Sequence, residues 1–551
     1  MRIQLGLTRT AVMTATLVAG MLPCGRVQAQ TTAPRSAPPT RLVVFITVDQ
    51  MRESYLERYA GQLTGGLGRL LRGGACFRNA YHDHAVTETA PGHSVVLSGR
   101  FPRSTGIVAN GAGVLDPQAA LLPPARGPGA SPFRFRGSAR IDWLRNADPA
   151  SRALSISRKD RGAILPLGRA HQQAYWYAWP GVFTTSTYYA DTLPTWVRRF
   201  NARAEPRSYA GKTWSLLLPD SAYPEPDSVP VEGAGRDFTF PHVLPADSTV
   251  LGALAEYPFM DQVTLDLALA GLNALALGAS PHTDLLAVSL STTDAIGHRY
   301  GPESREIHDQ VLRLDRMLGT FIDSIYRLRD STTVVFALTA DHGVTPFPEL
   351  HARTAEEARA RRVDMGPLMT PIISGLARRG VPASAFTFSD FMLTVNRAAF
   401  AAAGVNADSV VADFAARART IPGVARVDYV ARLARGDTVH DAVTRRWAHM
   451  LPPDVPVPVV VTLKPGYVSA GTSADHGSPY DPDAHVPVMF YGPPFRAGKF
   501  TRTVRVVDLA PTLARALGVR PIERLDGRVL EEALRPARPG PERTLAAPAR
   551  P

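Results

Sequence analysis

The sequence predicts an α/β fold with a largely parallel central sheet flanked by helices, and three observations carry that expectation. First, the runs Arg41–Val48, Asp284–Thr292 and Thr332–Ala340 are continuous, apolar and rich in β-branched residues, the pattern of strands covered on both faces. Second, helical periodicity lies between strands and is clearest from Glu303 to Leu328, where Ile307, Val311, Leu314, Leu318, Ile322 and Ile325 recur on one face. Third, each apolar run ends at or just before an aspartate: Asp49, Asp294 and Asp341. Open parallel sheets bind ligands outside the carboxyl ends of their strands, so these three residues are candidate site residues.

Each element follows from local sequence. The first strand starts abruptly after the Pro/Ala/Ser-rich linker 30–40. Before the linker, Arg2 and Arg9, the apolar stretch Ala11–Leu22 and the small-residue site Val27-Gln28-Ala29 form the pattern of a signal peptide over 1–29. That stretch is too short for a membrane span, so the mature chain is expected to be periplasmic or secreted, with Cys76 as its lone thiol. A fourth apolar run, Val486–Tyr491, follows a Gly/Asp/His-rich loop. The core is therefore expected over 41–349 and 466–530. A smaller α+β insertion over 350–465 is expected from its Arg/Ala-rich helical sequence and short strands, and a Pro/Arg-rich disordered tail over 531–551.

Composition narrows the classes. The chain of 551 residues is 45% hydrophobic and 20% charged, which excludes wholesale disorder. Two cysteines cannot build a disulfide scaffold or a zinc-finger framework. The net charge of +12 invites a nucleic-acid reading, but it comes almost wholly from scattered Arg without a basic run, so no nucleic-acid partner is expected. A basic surface binder without catalytic activity stays as the contrasting class.

The chemistry concentrates in a few short motifs. Asp294-Ala-Ile-Gly-His298 sets a carboxylate and an imidazole one helical turn apart, and Asp341-His342-Gly343 sets the same pair side by side at a strand end. With Asp49 and a His from Ala474-Asp475-His476-Gly477 the set is three Asp and three His. Mixed oxygen and imidazole donors suit Zn²⁺ or a similar borderline metal better than Mg²⁺ or Ca²⁺. Six ligands suffice for two ions, the clamp that phosphoryl-transfer enzymes use. In Thr89-Ala-Pro-Gly-His93-Ser94, Pro91 suits the first turn of a helix, which puts Thr89 at its N-terminus. A hydroxyl there is either an N-cap or a nucleophile beside a site that attracts anions.

These motifs, in this order, resemble the alkaline phosphatase superfamily of bimetallo hydrolases over almost the whole mature chain. The resemblance implies that Asp294, His298 and His476 hold one zinc, and that Asp49, Asp341, His342 and the Thr89 oxygen hold the other. His476 is preferred over the nearby His485 because the superfamily's ligand sits in a His-Gly context. Thr89 excludes the sulfatases, which need a Cys or Ser, and the Ser-dependent mutases. Lys159-Asp160-Arg161 resembles the Lys-Asp-Arg motif of PafA-type, Thr-nucleophile alkaline phosphatases, and Asn110 falls where that group places a phosphoryl-contacting Asn. A monoester dianion needs cations beyond the metals, so Lys159 and Arg161 favour a phosphomonoesterase forming a phosphothreonine, with small phosphate monoesters as substrates. The alternative is a phosphodiesterase or nucleotide pyrophosphatase. The His82-Asp83-His84 triplet and His93 are read as structural, Tyr175–Trp179 as a core strand, and Phe183–Tyr189 as a possible pocket border.

Overall fold

The computed structural model describes residues 39–536 apart from Ala204 and Thr472. The signal peptide expected over 1–29 and most of the linker lie outside the described residues. The main sheet contains β1 (Leu42–Val48), β2 (Ala75–Tyr81), β3 (Ala153–Ser157), β4 (Gln173–Ala178), β5 (Val182–Thr184), β6 (Asp284–Leu290), β7 (Val334–Thr339), β8 (His485–Tyr491), β9 (Gly498–Phe500) and β10 (Val504–Arg505). Across the sheet the order is β9-β2-β8-β7-β1-β6-β3-β4-β5, with β10 beside β2. The centre, from β7 through β1, β6 and β3 to β4, is parallel. The run Val486–Tyr491 enters as β8, antiparallel to both neighbours. Every residue of β1, β6 and β7 is buried, as their unbroken apolar sequence requires.

Four helices matter for the site: α1 (Thr89–Val96), α2 (Asp160–Ile164), α3 (Thr292–Tyr300) and α4 (Arg305–Leu328). The last begins where Ser304 caps it, its side chain accepting the Ile307 N–H. Its apolar stripe joins β1, β6 and β7 in one core. Register sets the geometry that follows. Val48 lies opposite Leu290 and Thr47 opposite Thr339, so the carboxyl ends of β1, β6 and β7 are level.

The segment expected as an insertion carries its own four-stranded antiparallel sheet, in the order 386–389, 392–395, 459–463, 424–429, backed by helices that include Gly366–Arg378 and Ala407–Ala418. It has a separate apolar core, and a further patch packs Met392, Trp447, Met450 and Val460 against Ala85, Val86 and Val108 of the main body. The tail boundary needs correction. Residues 531–536 are part of the folded body: Glu531–Ala533 form a helical turn, Leu534 bridges Phe495, and Leu530 and Ala533 are buried in the main core. The Pro/Arg richness that suggested a tail begins only after these apolar anchors.

Ile46 is fully buried in the central strand, opposite Val288 and Leu338. Ile46→Ala is expected to cost about 2–5 kcal/mol, to be read as a lower urea midpoint.

Candidate active site

The level strand ends bring distant residues to one rim of the sheet. Asp49 follows β1, and its backbone N–H donates to Leu290 O at the end of β6 (2.9 Å). Asp294 and His298 stand one turn apart on α3, Asp341 and His342 follow β7, and His476 comes from the loop before β8. Asp49, Asp341 and His342 are fully buried. The ring nitrogens converge: His342 Nε2 lies 3.4 Å from Asp49 Oδ1, 3.7 Å from Asp341 Oδ2 and 4.0 Å from Asp294 Oδ1. His298 Nε2 and His476 Nε2 lie 3.4 and 3.7 Å from Asp294 Oδ1.

The three imidazoles are oriented alike by the backbone. Nδ1 of His298, His342 and His476 lies 2.7, 2.9 and 2.9 Å from the carbonyls of Ala474, Gly343 and Thr87. A carbonyl only accepts, so each Nδ1 carries the proton and each Nε2 is turned toward the carboxylates. That is the arrangement of metal-ligating histidines held by a second partner. Two sets of potential ligand atoms each fall within 4.8 Å: Asp294, His298 and His476, and Asp49, Asp294 and His342. Asp294 faces both, and Asp341 stands beside the second. His485 does not join them. It is turned to the Arg78 carbonyl and stacks on Tyr81.

Electrostatics point to missing positive charge. Burial raises the cost of ionising Asp49 and Asp294, and Asp294 adds repulsion on Asp49, yet Lys159 and the neighbouring imidazoles hold both carboxyls well below the usual range. Burial opposes a charged His342, but Asp341, Asp49 and Asp294 outweigh it and lift its pKa to about 9. His298 is raised despite burial, chiefly by Asp294. His476 is lowered by burial and by its two imidazole neighbours. Both Asp49 oxygens and Asp341 Oδ2 are buried, with Lys159 Nζ 2.6 Å from Asp49 Oδ2 and His93 Nδ1 3.0 Å from Asp341 Oδ2. Buried carboxylates of Asp49, Asp294 and Asp341 converging with three imidazole Nε2 atoms are a donor set that fits divalent cations.

Thr89 is the first residue of α1, and its hydroxyl lies 3.5 Å from His342 Nε2 and 3.2 Å from Lys159 Nζ. It is not the N-cap. Glu88 holds that position, and no side-chain cap is made. Lys159 heads α2, with its ammonium 2.6 Å from both Asp49 Oδ2 and Asp294 Oδ2. In this arrangement it balances the carboxylates. Asn110 Oδ1 accepts the Ala90 N–H (2.9 Å), which leaves the amide N–H groups as its free edge. Arg161 is farther out, with its guanidinium 3.7 Å from Asp160.

Some residues that shape the site carried little sequence signal. Gln50 adopts φ +65°, unusual outside glycine, and ties two ligand carboxylates: its N–H donates to Asp341 Oδ1 (3.1 Å) and its Nε2 to Asp294 Oδ1 (3.0 Å). His93 does more than pack. Its Nδ1 lies 2.9 Å from Thr89 O and 3.0 Å from Asp341 Oδ2, and its Nε2 lies 2.8 Å from Ser289 Oγ. Gly92 lets α1 approach β7: a Cβ there would fall 2.2 Å from Asp341 O. By contrast His82, Asp83 and His84 are buried in structural contacts, with His82 Nε2 2.9 Å from Ala340 O and Asp83 paired to Arg445 and His449.

A cavity of about 620 Å³ opens beside this cluster. Asn110, Glu88, His298 and His476 line one side, and the insertion supplies the other through Met365, Met369, Phe388 and Phe391. None of Phe183–Tyr189 lines it. Glu88 faces Asp390 there, and burial followed by that carboxyl lifts the Glu88 pKa to about 8.

A parallel-sheet core with a threonine-headed helix and an Asp/His cluster at the strand ends defines a hydrolase of the alkaline phosphatase superfamily. Residues 43–378 match the family profile described as Type I phosphodiesterase / nucleotide pyrophosphatase, and the chain belongs to that family. It is 30% identical over 541 residues to alkaline phosphatase PhoV of Synechococcus elongatus, covering 91% of this chain and 94% of that protein. It is likewise 30% identical over 525 residues to alkaline phosphatase PhoK of a Sphingomonas species, covering 90% and 92%. The crystal structure of alkaline phosphatase PafA superposes with a TM-score of 0.82 at 26% identity, covering 91% of this chain and all of that one.

Two outcomes are expected. Gly92→Ala forces α1 and Asp341 apart, and should cost about 1–3 kcal/mol and lower activity together with the melting temperature. Adding zinc to metal-depleted protein at pH 8 should release protons to an indicator dye, because His342 holds its proton up to about pH 9 and ligation needs the neutral ring. The release should shrink at pH 10, where that proton is already gone.

Proposed function

We propose that the chain is an alkaline phosphatase, a phosphate monoester hydrolase working through a phosphothreonine. The observation that carries this reading is the Thr89 hydroxyl at a helix N-terminus, within 3.5 Å of His342 and 3.2 Å of Lys159. Full-length likeness to alkaline phosphatases supports the monoesterase over the diesterase.

In this reading Asp294, His298 and His476 hold one divalent cation, and Asp49, Asp341 and His342, with the Thr89 oxygen, hold a second. Zinc matches this donor set. When bound, the two ions supply Lewis-acid charge to the transferring phosphoryl group. Thr89 Oγ1 forms the new bond to phosphorus as the ester oxygen leaves, and water later hydrolyses the phosphothreonine. His342, with Nδ1 tied to Gly343 O, keeps Nε2 beside the Thr89 hydroxyl, so that a cation held by Nε2 would also meet the Thr89 oxygen. The amide of Asn110 presents its N–H groups to a phosphoryl oxygen because its carbonyl is held by Ala90.

Lys159 and Arg161 neutralise the second charge of a monoester. The four-carbon stem of Lys159 lets its ammonium trade the carboxylates for phosphate oxygens once divalent charge satisfies Asp49 and Asp294. The leader over 1–29 sends the mature chain to the periplasm or outside the cell. No described helix is long and apolar enough to cross a membrane.

Thr89→Ala should retain zinc and lose at least about a thousandfold in kcat, whereas substantial turnover would refute the nucleophile. Replacing Lys159 and Arg161 together with Ala should lower kcat/KM for p-nitrophenyl phosphate by about a hundredfold or more and that for the bis ester far less. Equal losses would remove the charge argument.

A further inference from the structure

The cavity beside the cluster has a composition that the hydrolysis of phosphate esters alone does not explain. One wall is apolar and soft, built from Met365, Met369, Phe388 and Phe391 of the insertion. The carboxyl groups that line it are Glu88, Asp364, Asp390 and Asp475, and among the described residues no Lys or Arg lines it. Arg362 offsets Asp475 from outside, since it is bonded to Glu349 and to Ser473 O. Glu88, Asp364 and Asp390 have no such counter-ion in the lining. The lining thus sets four carboxyl side chains against two imidazoles, His298 and His476.

The fold holds this surface in place. Asp390 and Phe391 form the two-residue tip of a hairpin closed by the Ser389–Met392 pair, and both have positive φ, 51° and 61°. Such a turn ordinarily takes Asn or Gly, so a Phe there is strained. The tip reaches the catalytic loop: Phe391 Cε2 and Glu88 Oε1 lie 3.8 and 3.9 Å from where a Cβ on Gly477 would stand, next to His476.

We propose that this cavity receives the leaving alcohol and selects phosphate esters whose alcohol carries an amino or ammonium group on a short apolar body. It disfavours esters whose alcohol carries a second anionic group. The proposal rests on the phosphomonoesterase reading and adds the substrate class. The phosphoryl group sits at Thr89, and the alcohol projects past Asn110 and His298 between Glu88 and the hairpin tip. A cation there meets carboxylates and the side chains of Phe388 and Phe391, whereas an anion meets carboxylates at short range with apolar walls that cannot screen it. A volume of about 620 Å³ suits such a small alcohol.

The test uses the zinc-loaded full-length enzyme and three esters of similar length: 2-aminoethyl phosphate, propyl phosphate and phosphoglycolate, with p-nitrophenyl phosphate as reference. At fixed pH and low salt, kcat/KM should fall from the cationic to the neutral to the anionic ester, with at least tenfold between the extremes. In Asp364→Asn/Asp390→Asn that ratio should shrink about tenfold. Intrinsic leaving-group reactivity cancels when variant and wild-type ratios are compared. Asp364 is exposed at the mouth and its carboxylate accepts the Gly366 N–H, so Asp364→Lys serves if the double variant fails to fold, and should shrink or invert the ratio. A flat wild-type order, or a ratio unmoved in the folded variants, overturns the proposal. Failure on all four esters overturns the phosphomonoesterase reading instead.

Discussion

Three aspartates gathered in one buried pocket are the constraint around which the molecule is arranged. Asp49, Asp294 and Asp341 reach this pocket because the carboxyl ends of β1, β6 and β7 are level, and burial makes each charge expensive unless cations answer it. The ammonium of Lys159 and the imidazolium of His342 supply part of that answer. A histidine driven to hold its proton in a fully buried site shows the size of the remaining demand, and divalent cations meet that demand most directly.

The nucleophile depends on the same constraint. Thr89 heads a helix that approaches β7 closely only because Gly92 has no side chain, and His93 of that helix bonds both the Thr89 carbonyl and Asp341. Gln50 joins the two carboxylate groups from an unfavourable backbone conformation. Strain of this kind persists where the surrounding structure over-determines it. The backbone carbonyls of Ala474, Gly343 and Thr87 then orient the three imidazoles with no side chain spent on the task.

The insertion contributes a surface and none of the cluster. Its sheet has a core of its own, and the patch around Met392 and Trp447 docks it on the strand end that leads to Thr89. The candidate catalytic groups and the far wall of the cavity are therefore carried by separate elements. The parallel core fixes the residues of the cluster, and a hairpin packed on it through Met392 lines the cavity beside them. Such a division lets one part vary without disturbing the other.

The parallel core, helix α4 and the aspartates at the strand ends were legible in the sequence because they arise from local pattern: unbroken apolar runs, a helical stripe, and polar residues where burial stops. The Asp294/His298 and Asp341/His342 pairs and the helix start at Thr89 were legible for the same reason. Other features depend on contacts between segments far apart in the chain. Nothing local marks Gln50 as a bridge, His93 as a partner of Asp341, residues 531–536 as part of the body, or Asp390 as the residue facing Glu88. Lys159 could be read from sequence as a phosphate contact, but only the folded chain shows that its ammonium also stands against Asp49 and Asp294, because charge balance in a buried site is settled by every group that tertiary packing brings there.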